Sequence, residues 1–511
     1  LNLSLDRTAI NSAFRQPLTW LFLFSTIGVW IFVWQHAFNM DITNDEAYSF
    51  ILIKIHRYRG MPGTANTHWL NSILMKLWSI TLGDHPLSLR LHSVLAFPFF
   101  TYAIYRLGLL IRNIPAQLLF YCLLVLNPYV LDFFALARGY GMAMTFQAWG
   151  FLLFCSAVQQ HFSYRLWLCI ALLSALALAA NLSYLYMVLG IAAAFFIFTL
   201  QKASFKSFFN NRQIRTISLL FVFQICFAIA DLLFIRIRGK DLEFGGDTDF
   251  LYSLVGSVWK GSLYFSHEGL LDILTYGSFV LLCIVCLYHI TQAIRNKKIT
   301  IGLLLCVPVA GIFLLNICFH LSMGTPYLMV RTALQWLVPG LFIIFYTTGL
   351  WTPSVKINLY NLAVGSAIVL LLLFHLTDTA DKYLCHEWFH QKKTKQPLYD
   401  LYATGAKNPQ FSIVFNGPYR NYYQLTEERF QHYLPSILHE KSGAIACDTL
   451  LRNELLTADY SIIYLDHTLQ CMKAWQIPYT ILKTYPGTPL KLVRLGTTPS
   501  IEQTQNSIHA Q

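Results

Sequence analysis

The chain has 511 residues, 56% of them hydrophobic and 12% charged, with a formal net charge of +12. Its mean hydropathy is +0.49. Soluble domains carry about 25% charged residues, so an ordinary soluble enzyme is excluded and a polytopic α-helical membrane protein is the class that fits. Lysine and arginine collect in cytoplasmic loops and beside anionic headgroups, so the positive balance does not imply nucleic acid.

Arg7 and Arg15 precede the first apolar run, residues 18–38, which is too long and aromatic for a signal-peptide core and is followed by no small-residue cleavage site. It reads as an uncleaved anchor with the amino terminus inside. A span takes roughly 20 apolar residues, and about eleven stretches meet that criterion. They lie near residues 18–38, 87–111, 115–131, 140–159, 165–181, 182–200, 217–235, 271–293, 300–320, 332–350 and 357–375. Basic residues cluster at Arg106 and Arg112, at Arg165, at Lys202, Lys206, Arg212 and Arg215, at Arg295, Lys297 and Lys298, and at Lys356. An odd number of spans puts all of these inside, and the loop 39–86, the loop 236–270 and the carboxy terminus outside.

The first outer loop opens on Asp41-Ile42-Thr43-Asn44-Asp45-Glu46, with three carboxylates at the mouth of a span. Charge near lipid is paired or functional. A helix starts here, with Asn44 or Asp45 as its cap and Glu46 in its first turn. It is expected to run from Ala47 to Tyr58, with Tyr48, Ile51, Leu52 and Ile55 on one face. After the breaker Gly60-Met61-Pro62-Gly63, a second helix is expected from Thr67 to Thr81. Its Trp69, Leu70, Ile73, Leu74, Leu77 and Trp78 recur at helical spacing, and such helices lie in the membrane interface. His68 and Asn71 share its polar face with Ser72 and Met75. That face either touches water or looks toward the acidic turn.

Three further places carry candidate chemistry. Arg138, in Leu136-Ala137-Arg138-Gly139-Tyr140-Gly141, sits between two spans and either pairs with Asp132 or grips a phosphate with its planar fork. Arg331, in Val330-Arg331-Thr332, is either an interfacial side chain reaching for water or a second phosphate contact. Asp247-Thr248-Asp249 has the spacing of a metal-nucleotide motif but lies in a loop without the nucleotide fold around it, so no metal is expected. Cys283 and Cys286 stand one turn apart inside a span, where packing explains them. Outside the spans are Cys385, Cys447 and Cys471, an odd number that leaves at least one unpaired.

From about Leu376 the long apolar runs stop. Strand-like runs occur at Phe411–Phe415, Tyr460–Leu465, Tyr479–Lys483 and Leu490–Leu495, and helical ones at Asp381–Phe389 and Glu427–Leu438. The expected organisation is therefore a transmembrane domain over 1–375, including the loop 39–86 with its two interface helices, followed by a small extracytoplasmic α/β domain over 376–511.

Taken together, Asn44-Asp45-Glu46-Ala47-Tyr48, the segment Asn66–Asn71, Gly83-Asp84-His85-Pro86-Leu87-Ser88-Leu89-Arg90-Leu91-His92-Ser93, Ala137-Arg138-Gly139-Tyr140 and Val330-Arg331-Thr332 resemble the GT-C superfamily of membrane glycosyltransferases. The resemblance is to the family 39 protein O-mannosyltransferases and the lipid A aminoarabinose transferases. It covers residues 15–200 well and the later spans loosely. Paired prolines after a histidine in the first loop are absent here, since His68 stands beside Trp69. There is no β-trefoil insert and no tryptophan-tryptophan-aspartate motif. The resemblance implies a polyprenyl-phosphate sugar as donor, a glycan, lipid or protein hydroxyl as acceptor, inversion at the anomeric carbon, and no cofactor or metal. Asp45 and Glu46 would be catalytic, Arg138 and Arg331 would hold the donor phosphate, and His68, Asn71, Tyr140 and Asp132 would line the substrate site. A bacterial inner membrane is the implied location. Two other readings are a lipid or glycan transporter, which should place charges at mid-membrane in two related halves, and a non-catalytic protein that binds lipid-linked glycans.

Overall fold

The computed structural model describes residues 17–54, 68–202, 210–237, 245–246, 249–264, 268–351, 359–387, 395–412, 417–430, 436–438, 447, 449–486 and 488–496. Arg7, Arg15, the Gly60–Gly63 breaker, Asn66, Thr67, Asp247 and Thr248 lie outside them. The chain divides into two compact units. The first comprises residues 1–38, 57–83 and 87–382, and the second residues 39–56, 84–86 and 383–511.

The first unit is helical. Its elements include α1 (Pro17–Asn39), α3 (Trp69–Leu82), α4 (Pro86–Gly108), α5 (Ile114–Val125), α6 (Pro128–Phe134), α7 (Tyr140–Gln159), α8 (Tyr164–Ala180), α9 (Leu185–Lys202) and α10 (Arg212–Ile237). They continue with α11 (Ser257–Leu263), α12 (Glu268–Arg295), α13 (Ile301–Met323), α14 (Leu337–Trp351) and α15 (Leu359–Thr379). Among the described residues, eight helical stretches are long and apolar enough to cross a membrane. A further pair, α5 and α6, passes that test only when taken together, and α8 and the segment Ala363–Thr379 are apolar but shorter. These places coincide with the eleven runs read from the sequence. Phe24, Ile27, Phe223, Ile273, Leu321 and Phe374 stand exposed along the helices, as side chains facing lipid tails do.

One run differs from expectation, and the boundary expected at residue 181 is made in the same way. Residues 115–131 do not form one straight helix, because α5 and α6 meet at a bend of 49°. Asn127 and Pro128 cause it. The Asn127 Oδ1 accepts from the amides of Tyr129 and Val130, starting a new helix, and Pro128 occupies its first turn, where no amide is needed. At Asn181 the helix stops again. The Asn181 side chain accepts from the Ser183 amide at 3.0 Å, and a single 3₁₀ turn, Leu182–Tyr184, separates α8 from α9. Elsewhere small residues let helices close up: a Cβ on Gly190 of α9 would lie 2.7 Å from the Pro308 Cα of α13.

The second unit joins α2 (Asn44–Lys54) to α16 (Lys395–Ala403), α17 (Gly417–Thr426), α18 (Thr449–Thr457), α19 (Asp466–Ala474) and a five-stranded sheet. The strands are β1 (Pro409–Ser412), β2 (Ser436–Leu438), β3 (Tyr460–Ile463), β4 (Tyr479–Thr484) and β5 (Lys491–Leu495), in the order β2-β1-β3-β5-β4. β1 runs parallel to β2 and β3, and β5 runs antiparallel to β3 and β4. Leu451 and Leu455 of α18 and Met472 of α19 bury themselves against Ile463, Val493 and Leu495 of the sheet. Three strands fall on the strand-like runs of the sequence, and β1 overlaps the first of those runs at Phe411 and Ser412. The helix expected over Glu427–Leu438 is instead a 3₁₀ turn at Glu428–Phe430 and the strand β2, whose Ser436-Ile437-Leu438 pairs with β1. The helix expected at Asp381–Phe389 is, over its described part, turn and bend. The helix of this region is α16, which has Pro397 in its first turn and buries Leu398 and Leu401.

Cys447 and Cys471 form a disulfide that ties the approach to α18 to α19, and Cys385 is buried outside that bridge. A bridge closing a loop of this kind contributes about 2–4 kcal/mol. Maleimide labelling of the denatured protein should therefore gain two thiols only after reduction. Cys471→Ser should lower the denaturation midpoint of the second unit, as followed by the fluorescence of Trp475. Equal labelling before and after reduction would show that the bridge is not formed.

Candidate active site

The acidic turn belongs to the second unit, and its carboxylates are doing different things. Thr43, rather than Asn44 or Asp45, caps α2. The Glu46 amide donates to the Thr43 hydroxyl at 3.3 Å, and the Glu46 carboxylate accepts from the Thr43 amide at 2.9 Å and from its hydroxyl at 3.0 Å. This is a reciprocal capping box, readable in the sequence as Thr43-x-x-Glu46. Glu46 is fully buried in it. The Asp41 carboxylate accepts from the amide of Lys395 at the start of α16 at 2.9 Å. Asp45 stands between them in the first turn of α2, where its carboxylate is favoured by the helix dipole, and its carbonyl accepts from Ser49. α2 is buried over most of its circumference and packs on α17, with Phe50 edge-on to Tyr422. Lys54 pairs with Asp84 at 2.8 Å.

The basic and aromatic candidates gather in the first unit around His68. This residue is the cap of α3, and the buried face of that helix is its polar one: His68, Asn71, Ser72 and Met75 are buried while Ile73, Leu77 and Ile80 are exposed. A polar face turned into protein must be hydrogen-bonded. Asn71 meets this requirement at both ends of its amide. Its Oδ1 faces His92 Nε2 of α4 at 2.8 Å, and its Nδ2 donates to the Ala137 carbonyl at 2.9 Å. Asn71 thereby fixes the loop that carries Arg138. Trp69 reaches Asp231 of α10.

The loop between α6 and α7 is held closely. Gly139 has φ +74°, a left-handed conformation, and a Cβ there would fall 2.1 Å from the Ala180 carbonyl and 3.3 Å from the His68 Cβ. Only glycine lets this backbone lie against the end of α8 and the start of α3. Arg138 beside it is buried. Asp132, weighed from sequence as its ion-pair partner, lies 3.1 Å from His36 Nε2 and accepts from the Tyr264 hydroxyl at 3.3 Å. It joins α6 to α1 and to the end of α11. Tyr140 packs edge-on against His68, with ring centroids 5.3 Å apart.

Arg331 arrives from far along the chain, on the 3₁₀ turn Val330–Trp336. Val330 before it has φ 54°, a conformation β-branched residues avoid, and its amide donates to the Ser257 hydroxyl at 2.6 Å. Strain of this kind is held in place by surrounding contacts and gathers at functional sites. Gln335 on the same turn donates to the Ser183 carbonyl at 2.7 Å and accepts from the Met187 amide at 3.2 Å. Gln335 therefore fixes the Arg331 turn to the break between α8 and α9.

Burial holds the His68 imidazole well below its usual range, and the fields of Arg138 and then Arg331 push it lower still. His68 is neutral at pH 7, buried within the fields of two guanidinium groups. Neither of its ring nitrogens has a hydrogen-bond partner among the described residues. Such an arrangement favours an anion. Four interruptions of helix meet at this place: the start of α3, the 135–139 loop, the 181–184 break and the 330–336 turn. Sequence reasoning placed an element boundary near each of the four. It missed the functional weight of the 181–184 break and the roles of His92 and Gln335, because nothing local in those residues shows what they face. Asp249, the described part of the aspartate motif, accepts from the Tyr252 amide as a helix cap. Among the described residues, Cys447, His467 and Cys471 form the group with metal-ligating atoms close together, and its two thiols are joined as a disulfide.

No family model matches this sequence, and no curated protein matches it. Two solved structures resemble the chain at 11% sequence identity, each over 93% of this chain and 97% of its own. One is ArnT from Cupriavidus metallidurans bound to undecaprenyl phosphate, with a TM-score of 0.48, and the other is the same protein in the apo state, with a TM-score of 0.45.

Two expectations follow from the pocket. Gly139→Ala should lower folded yield and melting temperature in detergent, since the left-handed backbone alone disfavours a side chain by roughly 1–2 kcal/mol before any overlap with Ala180. A variant as stable as the parent would refute the close approach. Because the folded His68 sits below its unfolded value of about 6.5, the unfolded chain takes up the proton first, so stability falls as pH drops through that value. His68→Gln should reduce the difference in melting temperature between pH 7.5 and 5.5, whereas an unchanged difference would place the titration elsewhere.

Proposed function

We propose that this protein is an inverting glycosyltransferase that moves a monosaccharide from a polyprenyl-phosphate donor to a hydroxyl acceptor at the outer face of the membrane. The observation that carries the reading is the pair of guanidinium groups, Arg138 and Arg331, whose fields converge on a buried, neutral histidine in a membrane-spanning unit. A lipid phosphate is an anion that lives at a membrane, and two planar forks fixed on strained or glycine-dependent turns suit it. Arg138 and Arg331 stabilise the charge that grows on the phosphate as it leaves. His68 and Tyr140 line that pocket, and Asn71 and Asp132 act by positioning its walls.

The acceptor oxygen attacks the anomeric carbon from the face opposite the phosphate. The bond from that carbon to the phosphate oxygen breaks, its electron pair goes to the phosphate, and the configuration inverts. The acceptor proton goes to Asp45. That role rests on the sequence resemblance, and it is helped by the capping geometry, which occupies Glu46 with Thr43 and makes it a positioning residue. The reaction as written needs neither cofactor nor metal. The disulfide in the second unit and the grouping of basic loops on one side support an extracytoplasmic second unit, in a bacterial inner membrane protein with its amino terminus inside.

The test is transfer from labelled polyprenyl-phosphate sugars by purified protein in lipid. Asp45→Asn keeps shape and should reduce transfer about 10²–10⁴-fold, with donor binding intact. Glu46→Gln should reduce it less, in proportion to a loss of helix stability. Arg138→Lys keeps the charge but loses the fork, and should weaken donor binding. Transfer at the parental rate by both carboxylate variants would defeat the proposed chemistry. Movement of the lipid-linked sugar across the bilayer without transfer would favour a transporter, and donor binding with neither would favour a non-catalytic binding protein.

A further inference from the structure

The break between α8 and α9 carries two polar groups that the reading above does not use. Tyr184 is 0% exposed and Asn181 is 2% exposed. The Asn181 Oδ1 is occupied, accepting from the Ser183 amide at 3.0 Å and from its hydroxyl at 2.8 Å. Its Nδ2 and the Tyr184 hydroxyl have no partner among the described residues. An unsatisfied buried polar group destabilises a fold, and here two stand one turn apart on backbone that is itself held in place. Gln335 fixes it from one side through the Ser183 carbonyl and the Met187 amide. Gly139 lies against the Ala180 carbonyl on the other side and also touches His68. Tyr184 lies within electrostatic range of Tyr140, which packs on His68. The unpartnered groups of Tyr184, Asn181 and His68 thus belong to one neighbourhood.

The chemistry of these groups differs from that of the arginines. A phosphodiester carries one negative charge, and Arg138 and Arg331 already answer it with two positive ones. A phenol and a carboxamide N–H are neutral, directional partners, suited to hydroxyl groups. We infer that Tyr184 and Asn181 bind the hydroxyls of the donor's sugar ring, which makes the 181–184 break the part of the site that selects the sugar. The inference rests on the donor reading given above. It also explains why helix is interrupted between two apolar segments. Irregular backbone between spans is kept where it lines a polar cavity, and a site built to hydrogen-bond a hydroxyl discriminates strongly against a ligand lacking it.

The experiment compares two probes on full-length protein in lipid: undecaprenyl phosphate, and undecaprenyl phosphate bearing a hexose or pentose, using the sugar that the parent protein binds most tightly. Tyr184→Phe removes one hydroxyl and no volume from the backbone turn, and its melting temperature is recorded alongside. The variant should bind undecaprenyl phosphate like the parent and bind the sugar-bearing lipid about tenfold more weakly, the loss expected of one hydrogen bond. Its preference between sugars should shrink as well. Arg138→Lys should weaken both probes together. Equal weakening of both probes by Tyr184→Phe would assign the hydroxyl to the phosphate and overturn the inference, as would unchanged binding of both. If the parent binds neither probe, the donor reading itself fails and this inference falls with it.

Discussion

Backbone that leaves the helix between apolar segments has to find its hydrogen bonds within the protein, because lipid offers none. In the first unit that requirement is met at one place by a small set of side chains. Asn127 starts α6, Asn181 closes the 3₁₀ turn after α8, Asn71 takes the Ala137 carbonyl, and Gln335 takes the Ser183 carbonyl and the Met187 amide. Each is a carboxamide, able to donate and accept at once. The positions of Arg138 and Arg331 depend on them. Without Asn71 the Arg138 loop loses its tie to α3, and without Gln335 the Arg331 turn loses its tie to the end of α8.

Such a scaffold separates holding from acting. The groups bonded within the protein are the amides, Asp132 and Glu46, which are positioned to keep backbone and helix ends in place. Among the described residues, the buried polar atoms left without a hydrogen-bond partner include those of His68, Tyr184 and the Asn181 amide nitrogen. Dense fixed cations beside a neutral imidazole form a preorganised field, and a preorganised field stabilises developing charge without having to rearrange.

The acidic turn shows how one residue type takes several tasks. Asp41 ends up on the Lys395 amide and Glu46 on Thr43, which makes both of them helix caps. Carboxylates near a membrane were expected to be paired or functional. The capping box in Thr43-x-x-Glu46 was legible by its spacing, and the partner of Asp41 at Lys395 was not, since that contact spans most of the chain.

Much was determined locally. Apolar length placed the spans, because crossing a membrane is a requirement on each segment by itself. Strand-like runs marked β3, β4, β5 and part of β1 in the second unit, and the i, i+3 spacing placed His68 and Asn71 on one face of α3. Local pattern also had limits: β2 was read as helix, since three residues on the edge of a sheet acquire their conformation from β1. Which way the polar face of α3 turned could not be read from periodicity, which gives two faces and no direction. That Asp132 meets His36 and Tyr264, residues 96 and 132 positions away, could not be read from its neighbours in sequence. The convergence of Arg138 and Arg331 on His68, and the stranding of Tyr184 and Asn181 beside them, came only with tertiary structure. A sequence records what each segment can satisfy alone; which groups remain unsatisfied, and are therefore available to a ligand, is settled only when every other segment has taken its place.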